Sequence, residues 1–157
     1  MGQSDEQAPA AKKKLRKSFY AEFRNLDDVR EFVGQAAEGC GLEPDDIYRV
    51  QMAVDEAFSN IVEHAYTGEP LEEVVCQCLI TPVKLTVILS DHGKPFDPNQ
   101  VPGPRLNVPL DDRKKGGLGL FFMRKLMDEI YYEVMPESSQ KRPRNVLTMV
   151  KRKASAQ

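Results

Sequence analysis

Residues Glu43–Tyr66 read EPDDIYRVQMAVDEAFSNIVEHAY, and the reading of this stretch decides the fold. Ile47, Val50, Val54, Phe58, Ile61 and Ala65 recur at helical spacing and form one apolar stripe. Pro44 followed by Asp45 and Asp46 suits a helix start: proline lacks an amide that would go unpaired there, and carboxylates favour the positive end of the helix dipole. Thr67-Gly68-Glu69-Pro70 ends the segment. Glu56, Asn60 and His64 are successive i, i+4 positions and share one face. At about 100° per residue that face lies opposite the apolar stripe. A carboxylate can accept a proton from an attacking hydroxyl, a carboxamide oxygen is a hard ligand suited to Mg²⁺, and an imidazole can reach a phosphate. Any solvated helix face carries such residues, so the row alone assigns no function.

Working outward, residues 1–17 are polar and Ala/Lys-rich, and are expected to form a disordered basic arm. Ser18–Arg24 (SFYAEFR) alternates as a short strand. Leu26–Glu38 reads as a helix with Val29, Phe32, Val33 and Ala36 on one side and Gly39 or Gly41 as its stop. Beyond the long helix, Val74–Ile80 and Val83–Ser90 are apolar, β-rich runs separated by Thr81-Pro82, a hairpin pattern. Asp91–Gly119 is dense in glycine and proline, and a connection of that length in a small domain is functional or disordered. Leu118–Met127 follows as a helix, then strands Ile130–Met135 and Asn145–Lys151 joined by the polar Pro136–Arg144. Residues 154–157 read as a frayed tail, so the domain proper is 18–153. The order predicts an α+β two-layer sandwich, its sheet mixed but mostly antiparallel, with helices on one face.

Composition agrees with one soluble domain: 157 residues, 41% hydrophobic and 29% charged. No run approaches the ~18 apolar residues of a membrane span, and no apolar leader opens the chain, so a cytoplasmic protein is expected. Cys40, Cys76 and Cys78 are odd in number, and the last two fall on one face of a strand, which reads as reduced thiols. His64 and His92 are the only histidines, and their spacing matches no common zinc site. The net charge of −2 is unevenly spread. Five basic residues lie in 12–17 and six in 141–153, leaving 11 basic against 22 acidic residues in 19–140. No recognition motif accompanies the basic ends, so direct nucleic-acid binding is not expected.

Two further motifs follow the helix. Ser90-Asp91-His92-Gly93-Lys94-Pro95-Phe96-Asp97-Pro98 places an aspartate at a strand end, where it can bond a base while Gly93 turns the backbone beside it. Asp-x-Gly serves a plain turn equally well. Lys114-Lys115-Gly116-Gly117-Leu118-Gly119-Leu120 opens a helix, and glycine amides at a helix start favour anions. It lacks the Gly-Lys-Ser/Thr of a P-loop, and a flexible hinge would look the same.

Taken in order, Glu-x-x-x-Asn on a helix, Asp-x-Gly after a strand and Gly-x-Gly opening a helix resemble the three nucleotide boxes of the histidine-kinase-like ATPase superfamily, the Bergerat fold. The wording DEAFSNIVEHAY, SDHGKPFDP and GGLGLFFMRKLMDEI is most similar to the anti-sigma factor serine kinases, over roughly Phe19–Lys151. That resemblance implies ATP and Mg²⁺ as cofactors. It implies Asn60 on Mg²⁺ bridging the phosphates, and Glu56 as the general base toward an acceptor serine. It implies Asp91 on the adenine amine with Gly93 beside the ring, and Gly117, Leu118 and Gly119 at the phosphate end. It further implies His64 near the phosphates, and an ATP lid from about residue 100 to 117 that would offer Arg105, Arg113, Lys114 and Lys115 to the γ-phosphate. Pro95 stands where the second glycine of the common Asp-x-Gly-x-Gly box would be, which stiffens the loop. The implied partners are a STAS-type anti-sigma-antagonist, a sigma factor and a second copy of the chain. Two other functions fit the same residues: a nucleotide-switched binding module without kinase activity, and an ATP-hydrolysing regulatory domain of another pathway.

Overall fold

The computed structural model describes residues 13–65, 72–95, 123–137 and 142–154, with the side chains of His64 and Ala65 excepted. Among these residues, five strands and two long helices appear in the order β1 (Lys13–Tyr20), α1 (Leu26–Cys40), α2 (Pro44–Asn60), β2 (Glu73–Ile80), β3 (Lys84–Asp91), β4 (Glu129–Met135) and β5 (Arg144–Arg152). The strands form one sheet in the order β1-β2-β3-β5-β4. Every ladder among the described residues is antiparallel, so the expected mixed sheet is antiparallel throughout, and the α+β two-layer class stands. No helix among the described residues is long and apolar enough to cross a membrane.

Local chemistry explains the helices. α1 carries Asp27 and Asp28 in its first turn and ends at Gly41, whose φ of 87° is left-handed. The Leu42 amide reaches back to the Ala37 carbonyl at 3.2 Å, closing the helix end in the way that only glycine permits cheaply. Gly41, of the two glycines proposed as a stop, is therefore the terminator. α2 begins at Pro44 with Asp45 and Asp46 in the first turn, as expected. Its α-helical spacing ends at Asn60, and Ile61–Ala65 winds as a π-helix. The backbone carrying the predicted i, i+4 row is α-helical from Glu56 to Asn60 and π-wound at His64, whose side chain lies outside the described residues.

The core lies between α1, α2 and one face of the sheet. Val74, Cys76, Cys78 and Ile80 of β2, Leu85, Val87 and Leu89 of β3, and Leu147 and Met149 of β5 are all buried. They meet Val29 and Val33 of α1 and Val50, Val54 and Phe58 of α2 in one cluster. Phe58 is fully buried, which is worth about 3 kcal/mol of hydrophobic transfer. The intervening residues Val75, Gln77, Leu79, Thr86, Ile88, Val146 and Thr148 are half-buried on the opposite face. Cys40, Cys76 and Cys78 are free, buried thiols, and Cys76 and Cys78 share the inner face as predicted. A thiol hydrogen bond to Cys78, then burial, push the Cys76 thiol far up, which leaves it unreactive.

The first strand corrects one expectation. It begins at Lys13, not Ser18, and pairs with β2 over all eight residues, so Lys13–Lys17 belong to the sheet and not to a disordered arm. Leu15 is half-buried and Phe19 buried against the core while the lysines remain exposed at the edge. Charged side chains are compatible with an edge strand, where they discourage pairing with another chain. The strand also ends at Tyr20, and Phe23–Asn25 forms a 3₁₀ turn leading into α1. The remainder of the proposed arm, residues 1–12, and the tail 155–157 lie outside the described residues.

Between β2 and β3, the Thr81 hydroxyl oxygen accepts from the amides of Val83 and Lys84 at 3.2 and 3.1 Å, so the turn takes three residues instead of two. Lys151 of β5 is buried and compensated. Its Nζ donates to the Leu126 carbonyl at 2.9 Å and lies 3.6 Å from Asp46 and 3.9 Å from Asp128. A buried ammonium needs such partners. The contact joins the first turn of α2, the helical turn at 123–126 and the sheet.

Candidate active site

A cleft opens where α2 ends, β3 ends and β5 begins. Ala57, Ile61, Leu89, Met123 and Leu147 supply its apolar walls. Asn60, Asp91, Lys94, Tyr132 and Asn145 supply its polar groups. An apolar slot with a few convergent polar groups is the usual form of a small-molecule site.

Antiparallel pairing assembles one end of the cleft. Asp91 and Asn145 are register partners on β3 and β5, both on the inner face and both buried. Asn145 Nδ2 donates to Asp91 Oδ1 at 2.8 Å and to the Gly93 carbonyl at 2.9 Å. The Tyr132 hydroxyl donates to Asn145 Oδ1 at 3.3 Å, which fixes which way the carboxamide points. Burial pushes the Asp91 carboxyl above its ordinary range, against the opposing pull of Asn145, the Gly93 backbone and His92. A buried carboxylate beside an apolar slot is suited to accept from a flat heterocycle's amine.

The other end is set by α2. Asn60 lines the cleft, and Glu56 sits one helical turn earlier, half-buried and not among the lining residues. Burial first, and then the charges of Glu63 and Asp55, raise the Glu56 carboxyl. Asp55 is held by Arg30 of α1, whose Nε lies 3.1 and 2.9 Å from the two carboxylate oxygens. That fork pins α1 to α2 next to Glu56 and offsets part of the negative charge there.

The structure thus brings together Asn60, Asp91 and Gly93, and leaves Glu56 outside the cleft lining, one helical turn before Asn60. Arg105, Lys115, Gly117, Leu118, Gly119 and the lid expected at 100–117 lie outside the described residues, as does the His64 side chain. Asn145, Tyr132 and Lys94 were not anticipated. Asn145 stands 54 positions from Asp91, and only strand register makes them neighbours. The signal available in the sequence was an asparagine at the predicted start of a strand.

The chain matches the family described as Histidine kinase-like ATPase domain over residues 19–151. It is 38% identical over 106 residues to the serine-protein kinase RsbW of Bacillus velezensis, covering 65% of this chain and 66% of that protein. It is 33% identical over 110 residues to the serine-protein kinase RsbW of Bacillus licheniformis, covering 68% of this chain and 69% of that protein. The fold is similar to the crystal structure of the RsbU and RsbW domains of Rv1364c from Mycobacterium tuberculosis. That likeness has a TM-score of 0.62 and 16% identity, and it covers 92% of this chain and 34% of the other. A family match that spans nearly the whole described fold, a cleft where that fold joins α2 to the strand ends, and relatives of this kind lead to one conclusion: the chain belongs to the histidine kinase-like ATPase domain family, on the branch of the anti-sigma serine-protein kinases.

Proposed function

We propose that the chain is a cytoplasmic regulator that binds MgATP, transfers its γ-phosphoryl group to a serine of a STAS-type anti-sigma-antagonist, and sequesters a sigma factor. The observation that carries this reading is one cleft lined by Asp91 with Asn145 at one end and by Asn60 at the other, with Glu56 one helical turn before Asn60. Asp91 would accept from the adenine amine, and the apolar walls would cover the ring. The donor set suits Mg²⁺: Asn60 offers one neutral oxygen at the cleft, and Mg²⁺ usually takes few protein ligands beside phosphate and water. Bound there, the ion would neutralise charge on the phosphates.

Glu56 would take the proton of the acceptor hydroxyl. Burial and the neighbouring charges of Glu63 and Asp55 raise its carboxyl pKa, which makes the carboxylate a stronger base toward that proton. Lys94 at the cleft adds a positive charge for the nucleotide. A homodimer accords with the half-buried apolar residues Val75, Leu79, Ile88 and Val146 on the sheet face away from the helices.

Titration calorimetry with ATP and ADP, with and without Mg²⁺, tests the site. Mg²⁺-dependent binding that Asp91→Asn and Asn60→Ala each weaken is the expected result. No binding at millimolar nucleotide would overturn the reading.

A further inference from the structure

Two large apolar side chains on α2 are exposed without serving the core: Tyr48 at 63% and Met52 at 41%. Their positions are not scattered. Tyr48, Met52, Glu56 and Asn60 follow one another at four-residue spacing within the α-helical part of α2, so they form one row that runs to the cleft. Met52 lies ~6 Å and Tyr48 ~12 Å from Glu56 along the helix axis.

We infer that Tyr48 and Met52 form the docking surface for the protein acceptor of the phosphoryl group. The inference rests on the kinase reading and names the surface its substrate uses. A serine hydroxyl must come within hydrogen-bond reach of the Glu56 carboxylate, so the acceptor has to sit over this part of α2. A standard protein interface covers about 800 Å² on each side, which is a disc of radius ~16 Å. Centred on Glu56, that disc includes both side chains. The cleft side of the row is reserved for nucleotide, which leaves the Tyr48–Met52 side for the protein. Tyrosine and methionine are also enriched where proteins meet. Asp45 and Glu63 are exposed beside the row and Asp55 is partly exposed. The occupant is therefore a folded protein with an apolar patch next to its serine and basic side chains around it.

The full chain and its Tyr48→Ala and Met52→Ala variants are assayed with γ-labelled MgATP against purified STAS-domain proteins of the source organism. ATP affinity and sigma-factor binding are measured alongside. Val83→Ala, exposed at 51% in the β2–β3 turn, is the surface control. The expected result is a roughly tenfold rise in KM for the STAS protein in each α2 variant, with kcat, ATP affinity and the control unchanged. An unchanged KM in both variants overturns the docking surface and leaves the kinase reading standing. Weakened ATP binding overturns it by showing a structural role. Loss of sigma-factor binding with transfer intact overturns it by assigning the row to a different partner. No labelling of any STAS protein by the unaltered chain overturns the kinase reading and this occupant together.

Discussion

Asn145 Nδ2 lies 2.8 Å from Asp91 Oδ1 and 2.9 Å from the Gly93 carbonyl, so one carboxamide on β5 holds both the carboxylate and the turn that ends β3. The same amide is oriented by the Tyr132 hydroxyl from β4. Three strands therefore contribute to the position of a single acidic group. Without this brace, Asp91 would keep the cost of burial and lose a bond that favours its ionised form.

Asn145→Ala is expected to weaken ATP binding by one to two orders of magnitude, because a charged hydrogen bond and its geometric control are worth about 1.5–3 kcal/mol. Tyr132→Phe removes only the neutral bond that orients the carboxamide and should weaken binding less than tenfold. Calorimetry on both variants checks the ranking. Equal affinity in Asn145→Ala and the unaltered chain would show that Asp91 needs no brace.

Asp91→Asn is expected to separate stability from binding. Burial raises the Asp91 carboxyl above its ordinary 3.8, so the folded chain holds this proton to higher pH than the unfolded chain does. Its contribution to stability is therefore fully present below the unfolded pKa and is lost as pH rises through the folded one. The neutral amide removes that penalty and can still accept from Asn145. Thermal melts at pH 7 should show a gain of about 1 kcal/mol over the unaltered chain, narrowing as the pH is lowered, while ATP binding falls. A loss of stability at neutral pH would contradict the burial argument.

Phosphoryl transfer should decline on the acid side at a higher pH than an ordinary glutamate would give, since burial and the charges of Glu63 and Asp55 raise Glu56. Arg30→Met keeps the packing between α1 and α2 but frees the full charge of Asp55 beside Glu56. The acid limb of the pH–rate profile should then move to higher pH. Glu56→Gln should abolish that limb and lower kcat by about 10²–10⁴-fold. Transfer unchanged in Glu56→Gln would remove Glu56 from the reaction.

Much of the fold could be read from periodicity. The apolar stripe of α2, its Pro-Asp-Asp start and the alternating hairpin strands are local patterns, and α1, the start of α2 and strands β2 to β5 formed within a few residues of their expected places, while residues 118–122 of the helix expected at Leu118–Met127 lie outside the described residues. Lys13–Lys17 misled because a basic run looks the same in solvent as along a sheet edge; Leu15 and Phe19 decide the matter only once β2 is beside them. The π turn at Ile61–Ala65 was also hidden, since its residue types are as compatible with an α-helix.

For the site, the chemical inventory is legible in local runs of residues: Glu56 and Asn60 one turn apart on a helix, and Asp91 with Gly93 at a strand end. These are short-range facts, set by helical rise and strand termination. Only the tertiary packing shows that Asn145 and Tyr132 complete the Asp91 end, and that Asn60 lines the cleft while Glu56 does not. The reason is that strand register and helix-on-sheet packing set distances between residues far apart in the chain. Those distances follow from the burial of the whole inner face and not from any local run of residues.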